Sequence, residues 1–130
     1  MVAVLDAWGV LALLQAEPAA PRVHELIAAH DVHMSTVNLG EAYYIVLRKR
    51  GRRFAAERVE AIRNLVHMHD PDWQLTLAAA EIKARGGLSY ADAFCVATAR
   101  RHEAPLYTGD DEIVALDDAD VEIVDLRAAA

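Results

Sequence analysis

Four carboxylates, Asp6, Glu41, Asp92 and Asp110, are spread along the chain, each at or just after an element that should face one edge of a sheet. Asp6 ends the apolar run Val2–Leu5, and Glu41 lies in the helix expected after His33-Met34. Asp92 belongs to Leu88-Ser89-Tyr90-Ala91-Asp92-Ala93, the opening of another helix, and Asp110 closes Leu106-Tyr107-Thr108-Gly109-Asp110. Hard divalent cations such as Mg²⁺ prefer oxygen ligands, keep several waters and take only a few protein carboxylates. Three or four acids around one or two ions can orient a water for in-line attack on phosphorus and offset charge on the leaving oxygen. Without metal, crowded carboxylates repel each other and some must have raised pKa values. Each acid also has a structural reading. Asp6 and Asp110 suit helix N-caps, Asp92 stands near a capping box with Ser89, and Glu41 suits a solvated helix face.

The elements that must position these residues alternate. Val2–Leu5 reads as a short buried strand and residues 7–16 as a helix stopped near Glu17-Pro18. Pro21 opens a second helix through about His30. Residues 32–34 form a second strand, with Ser35 or Thr36 capping a helix to about Arg50. Gly51 breaks the chain before a fourth helix, whose apolar Ala55, Val59, Ile62 and Val66 have the spacing of one helical face. Pro71 stops it. Residues 73–75 read as a brief strand, with Thr76 capping a helix over 77–85, and Gly86-Gly87 precedes a helix over 89–102. Residues 105–108 and 121–124 are the last two strands. Short strands alternating with helices predict an α/β fold with a parallel sheet covered on both faces. Sites in such folds lie at the carboxyl ends of strands, where strand order reverses.

At 130 residues the chain suits one domain, 1–130, with 55 % hydrophobic and 25 % charged residues. Its single Cys95, in an apolar helical stretch, excludes an internal disulfide and suits a buried thiol in a reducing cytoplasm. No apolar run reaches the roughly 20 residues of a membrane span. No Lys or Arg precedes the apolar stretch at 7–14, and Asp6 interrupts it, so a signal peptide is not expected. The net charge of −7 does not argue for nucleic-acid binding, and Asp117-Asp118-Ala119-Asp120 adds acid near the C-terminus. Distribution says more: Arg48, Lys49, Arg50, Arg52 and Arg53 concentrate positive charge around Gly51. That segment reads as a solvated helix end or as a contact to an RNA backbone.

In size, layout and four ordered motifs the chain resembles the PIN-domain ribonucleases, and among them the VapC-type toxins of bacterial toxin–antitoxin pairs. The motifs are Val4-Leu5-Asp6-Ala7, Ser35-Thr36-Val37-Asn38-Leu39-Gly40-Glu41, Leu88-Ser89-Tyr90-Ala91-Asp92-Ala93 and Leu106-Tyr107-Thr108-Gly109-Asp110. The resemblance implies a PIN-like doubly wound sheet of order 3-2-1-4-5, with helices on both faces. It implies Mg²⁺ or Mn²⁺ held by Asp6, Asp92 and Asp110, with Glu41 as a further ligand or acting through water. Thr108 matches the hydroxyl residue of the family's Thr-x-Asp turn, and such contacts orient ligands. The implied activity is an endoribonuclease that leaves a 5′-phosphate and a 3′-hydroxyl, acting as a cytoplasmic homodimeric toxin inhibited by a cognate antitoxin. Two other readings stay open: a noncatalytic PIN-like module binding RNA or protein, and a PIN nuclease of RNA maturation without an antitoxin. The chain departs from the family in having Glu112-Ile113 where members often carry an aromatic residue. Asp111 and Glu112 also crowd Asp110, leaving open which of them assists it.

Other chemistries find less support. His67-Met68-His69-Asp70 reads as a helix end, where residues two apart do not share a face, and no Cys pair accompanies it, so zinc is not expected. Ser35 and Ser89 lack base–nucleophile spacing. No GxGxxG or Walker sequence indicates a nucleotide. Tyr43, Tyr44 and Trp8 read as packing or interface residues.

Overall fold

The computed structural model describes residues 1–117 and 120–128. Asp118, within the acidic cluster near the C-terminus, lies outside the described residues. Strands β1 (Val2–Leu5), β2 (Asp31–Ser35), β3 (His67–His69), β4 (Leu106–Thr108) and β5 (Ile123–Asp125) form one all-parallel sheet of order β3-β2-β1-β4-β5. Helices α1 (Ala7–Leu14), α2 (Ala20–Ala29), α3 (Thr36–Arg50) and α4 (Arg52–Leu65) alternate with the first strands. Helices α5 (Trp73–Ala84), α6 (Tyr90–His102) and α7 (Asp111–Val114) follow. Among the described residues, no helix is long and apolar enough to cross a membrane.

The central strand explains why its run is apolar without alternation. Ala3 and Leu5 pack with α1, α2, α3 and α4 residues such as Val10, Val23, Leu39 and Ile62. Val4 enters a second core with Ile82 of α5, Val96 of α6 and Leu106 of β4. A strand buried on both faces has no polar side to show. The doubly wound α/β fold expected from the sequence is therefore the fold observed.

Two local expectations need correction. Residues 73–75 are not a strand but the first turn of α5. Asp72 is its N-cap, accepting from the Leu75 N–H at 2.8 Å. The third strand is instead His67–His69, read from sequence as a helix end. The amphipathic helix before it finishes at Leu65, with Val66 already extended, and the chain then pairs with β2 at the sheet edge. The strand order stands with this segment in the edge position. The short helix α7, capped by Asp110, is an addition.

Candidate metal centre

Strand order reverses between β1 and β4, and the carboxylates meet beyond the ends of these two strands. Asp6 follows β1 directly and caps α1. Its Oδ1 accepts from the Gly9 N–H at 3.0 Å, and its Oδ2 accepts from the Thr108 hydroxyl at 2.5 Å. Thr108, the last residue of β4, is fully buried and its Oγ1 also accepts the Asp110 N–H at 3.0 Å. One hydroxyl thus fixes both the Asp6 carboxylate and the backbone of the turn that carries Asp110. Asp110 caps α7 through Oδ1, which accepts from Glu112 and Ile113 N–H at 2.9 and 3.1 Å.

Asp92 arrives from the other side of the crevice. Ser89 caps α6 by accepting the Asp92 N–H at 3.1 Å, which places Asp92 in the first helical turn, where the dipole favours an acid. Glu41 stands in the second turn of α3, with Oε1 buried and without a hydrogen-bond partner among the described residues. Asn38, one turn earlier and fully buried, donates from Nδ2 to the Ala91 carbonyl at 2.8 Å. That bond ties α3 to the start of α6 and so fixes Glu41 relative to Asp92. Sequence reading missed it, because Asn38 inside a helix carries no signal of a long-range partner.

Electrostatics show how strongly these groups share a site. Burial pushes the Asp6 carboxyl up to about 7, against the Thr108 and Gly9 hydrogen bonds that lower it, and Asp92 and Asp110 push it further. Burial likewise raises Asp92 to about 6, with help from Asp110 and Glu112 and against the Ser89 bond. Glu41 is raised by burial and then by Asp92 and Asp110. Asp92 and Asp110 are therefore within electrostatic reach of both Asp6 and Glu41.

Glu112 joins two of the expected acids. Asp92, Asp110 and Glu112 each offer an oxygen within 4.8 Å of the others. Glu112 is thus the acid that accompanies Asp110, while Asp111 is engaged by Arg127. Trp8 also supports the site: its ring lies against Gly109, where an added Cβ would overlap it. Cys95 is fully buried and its Sγ contacts the Asp92 carbonyl at 3.0 Å, with burial raising the thiol well above its ordinary value. It is a packing residue, as expected.

The basic segment lies elsewhere. Arg48, Lys49 and Arg50 form the last turn of α3, with Arg48 about 10 Å along the axis from Glu41. Arg52 and Arg53 open α4, and all five basic side chains are exposed. Arg48 rests over the Tyr44 ring and Arg50 over Phe54, at 5.1 and 4.0 Å.

An all-oxygen donor set, with Asp6 and Asp92 buried, Glu112 exposed and a buried Glu41 oxygen unpartnered among the described residues, fits a hard divalent cation reached from solvent. Known structures share the architecture. VapC20 of Mycobacterium tuberculosis, described as a sarcin-ricin loop cleaving toxin, matches with a TM-score of 0.76 at 24 % identity, over 94 % of this chain and 99 % of that one. DNA-bound VapBC from Salmonella typhimurium gives 0.77 at 18 % identity, over 97 % and 99 %. VapBC-1 from nontypeable Haemophilus influenzae gives 0.71 at 19 %, over 98 % and 100 %. At such identities the likeness is one of fold. No curated protein sequence matches the chain. The model of the PIN domain matches residues 3–119, a span that includes every carboxylate of the crevice. The chain belongs to the PIN domain family.

Proposed function

We propose that this protein is a metal-dependent endoribonuclease and the toxin of a type II toxin–antitoxin pair. The observation that carries the proposal is the gathering of Asp6, Glu41, Asp92, Asp110 and Glu112 beyond β1 and β4, where burial raises Asp6 and Asp92. A fold has little structural use for crowded, desolvated acids, and a divalent cation removes their repulsion. Asp92, Asp110 and Glu112 would hold the ion most directly, with Asp6 and Glu41 as further ligands or water holders. Mg²⁺ or Mn²⁺, when bound, supplies Lewis-acid polarisation of water and phosphate.

The chain's own groups do the rest. Thr108 holds Asp6 in place, and Ser89 and Asn38 set α6 against α3. With its carboxyl pushed up to about 7, Asp6 would exchange a proton for an ion near neutral pH, so ion binding should strengthen as pH rises. Arg48, Lys49, Arg50, Arg52 and Arg53 are exposed and suited to phosphate contacts that carry no sequence preference. The antitoxin partner is proposed because structures of like fold include VapBC complexes. A cytoplasmic homodimer belongs to the same reading.

The test is incubation of the purified chain with total RNA in Mg²⁺, Mn²⁺ or chelator, with the new ends identified. Discrete fragments bearing 5′-phosphates, formed only with metal, are the expected result. Cleavage that persists in chelator would overturn the metal mechanism. Absence of cleavage by folded, partner-free protein would favour a binding module.

A further inference from the structure

Four of the six histidines, His33, His67, His69 and His102, gather at the edge of the sheet, on the face covered by α5 and α6. Pairing of β2 with β3 sets His33 opposite His67 and Ser35 opposite His69. Because side chains alternate with a period of two, His33, His67 and His69 share one face. Val32 and Met34, on either side of His33, enter the core on the other face. The strand geometry of residues 67–69 thus removes the premise on which a shared site was excluded from sequence.

The last turn of α6 brings His102 onto this group. Ring centroids of His33, His69 and His102 form a closed triangle, at 4.8, 4.9 and 4.6 Å. His33 Nδ1 and His69 Nε2 are 2.6 Å apart, a hydrogen bond in which the tautomer sets which ring donates. One ring nitrogen from each of the three lies within 4.8 Å of the others, and all three side chains are half-buried. His67 stays outside, stacked on His33 at 4.6 Å with its Nε2 3.9 Å from Asp31.

We propose that His33, His69 and His102 form a second metal site, selective for an imidazole-preferring transition ion such as Zn²⁺ and separate from the carboxylate crevice. Three nitrogen donors and a water complete the tetrahedron that Zn²⁺ favours, whereas Mg²⁺ demands oxygen. Zn–N distances of about 2.0–2.1 Å place tetrahedral ligands about 3.3 Å apart. Ring rotations of roughly 1 Å achieve that spacing from the observed one. The proton between His33 and His69 moves to the far nitrogen of its ring, so no net charge is lost. The surroundings favour the neutral ligands that a metal needs. Burial and then neighbouring imidazoles lower all three pKa values, and Arg101 further lowers His69 and His102. Asp31 acts the other way on His33, and Arg101 is itself paired with Asp72. Asp92 and His102 are ten residues apart on α6, about 15 Å along the helix. The bound ion would clamp the three-residue edge strand β3 to β2 and α6.

The test uses tag-free, full-length protein, stripped by chelator and titrated with Zn²⁺ in excess Mg²⁺ by calorimetry. Co²⁺ absorption reports the ligand geometry. Wild type and Asp92→Asn should each bind one Zn²⁺ and show a tetrahedral Co²⁺ spectrum. At saturation Zn²⁺ should raise Tm by roughly 10 °C in both. His102→Ala and His69→Gln, each shown folded by circular dichroism, should bind at least ten-fold more weakly and lose the Tm shift. Absence of Zn²⁺ binding in wild type would overturn the proposal. So would binding that survives both histidine variants and disappears in Asp92→Asn.

Discussion

Asp6 and Asp92 hold their protons more tightly in the folded chain than a free aspartate does, Asp6 to about 7 and Asp92 to about 6. Between about pH 4 and 7 the folded state therefore binds more protons than the unfolded one, and stability falls as pH rises through that window. Above it, the full cost of the buried charges remains unless a cation offsets it. Metal-free protein should accordingly melt at a lower temperature at pH 7.5 than at pH 5, with Mg²⁺ restoring more at the higher pH. Asp92→Asn removes one of the charges, and at pH 7.5 in chelator it should be about 1 kcal/mol more stable than wild type, after allowance for solvent screening. Thermal melts at the two pH values check both statements. A less stable Asp92→Asn protein would show that the carboxylate is structural rather than strained.

At the scale of elements, the site depends on where helices begin. Asp6, Ser89 and Asp110 are all N-caps, and two of them are candidate ligands as well. The structural and functional readings of Asp6 and Asp110 are thus compatible. This explains how far the candidate site was legible: strand ends and caps leave local signals, Asp6 and Asp110 lie on them, and Asp92 follows the cap at Ser89. What was illegible has equally physical causes. His67–His69 carries no β-branched residue and follows a strongly periodic helix, so nothing local announced an edge strand. Trp73 and Leu75 suggested a strand, but the cap at Asp72 decided for helix. Asn38 and Trp8 act through contacts across the fold that spacing cannot reveal, whereas Glu112 stands beside Asp110 in sequence and only the fold separates it from Asp111. The packing of α1 on the β4–α7 turn yields a direct prediction. Gly109→Ala drives a methyl into the Trp8 ring and should cost about 1–3 kcal/mol, measured by urea unfolding. It should also weaken Mg²⁺ binding, since Thr108 and Asp110 flank the displaced residue.

Over the whole molecule, a net charge of −7 opposes a polyanionic substrate, and the acids concentrate part of that charge in the crevice. Bound cations would reduce it locally, while the positive segment lies at the α3–α4 junction, where Arg48 is about 10 Å along the helix from Glu41. If that segment follows an RNA backbone, each phosphate it neutralises steepens the salt dependence of binding. Replacing Arg48, Lys49 and Arg50 with Gln should weaken RNA binding and flatten the log–log salt slope by about 2. Filter binding across a salt series measures this, and an unchanged slope would assign the segment to surface solvation alone. Such a variant should bind Mg²⁺ normally, because none of its changed residues belongs to the acidic site.

The most direct measurement of the central claim is metal-dependent RNA cleavage by wild type and Asp92→Asn side by side, both verified as folded. Discrete fragments are expected from wild type in Mg²⁺ or Mn²⁺, with a reaction at least about 100-fold slower from Asp92→Asn, as when a charge-stabilising group is removed. Equal cleavage by the two proteins would contradict the claim.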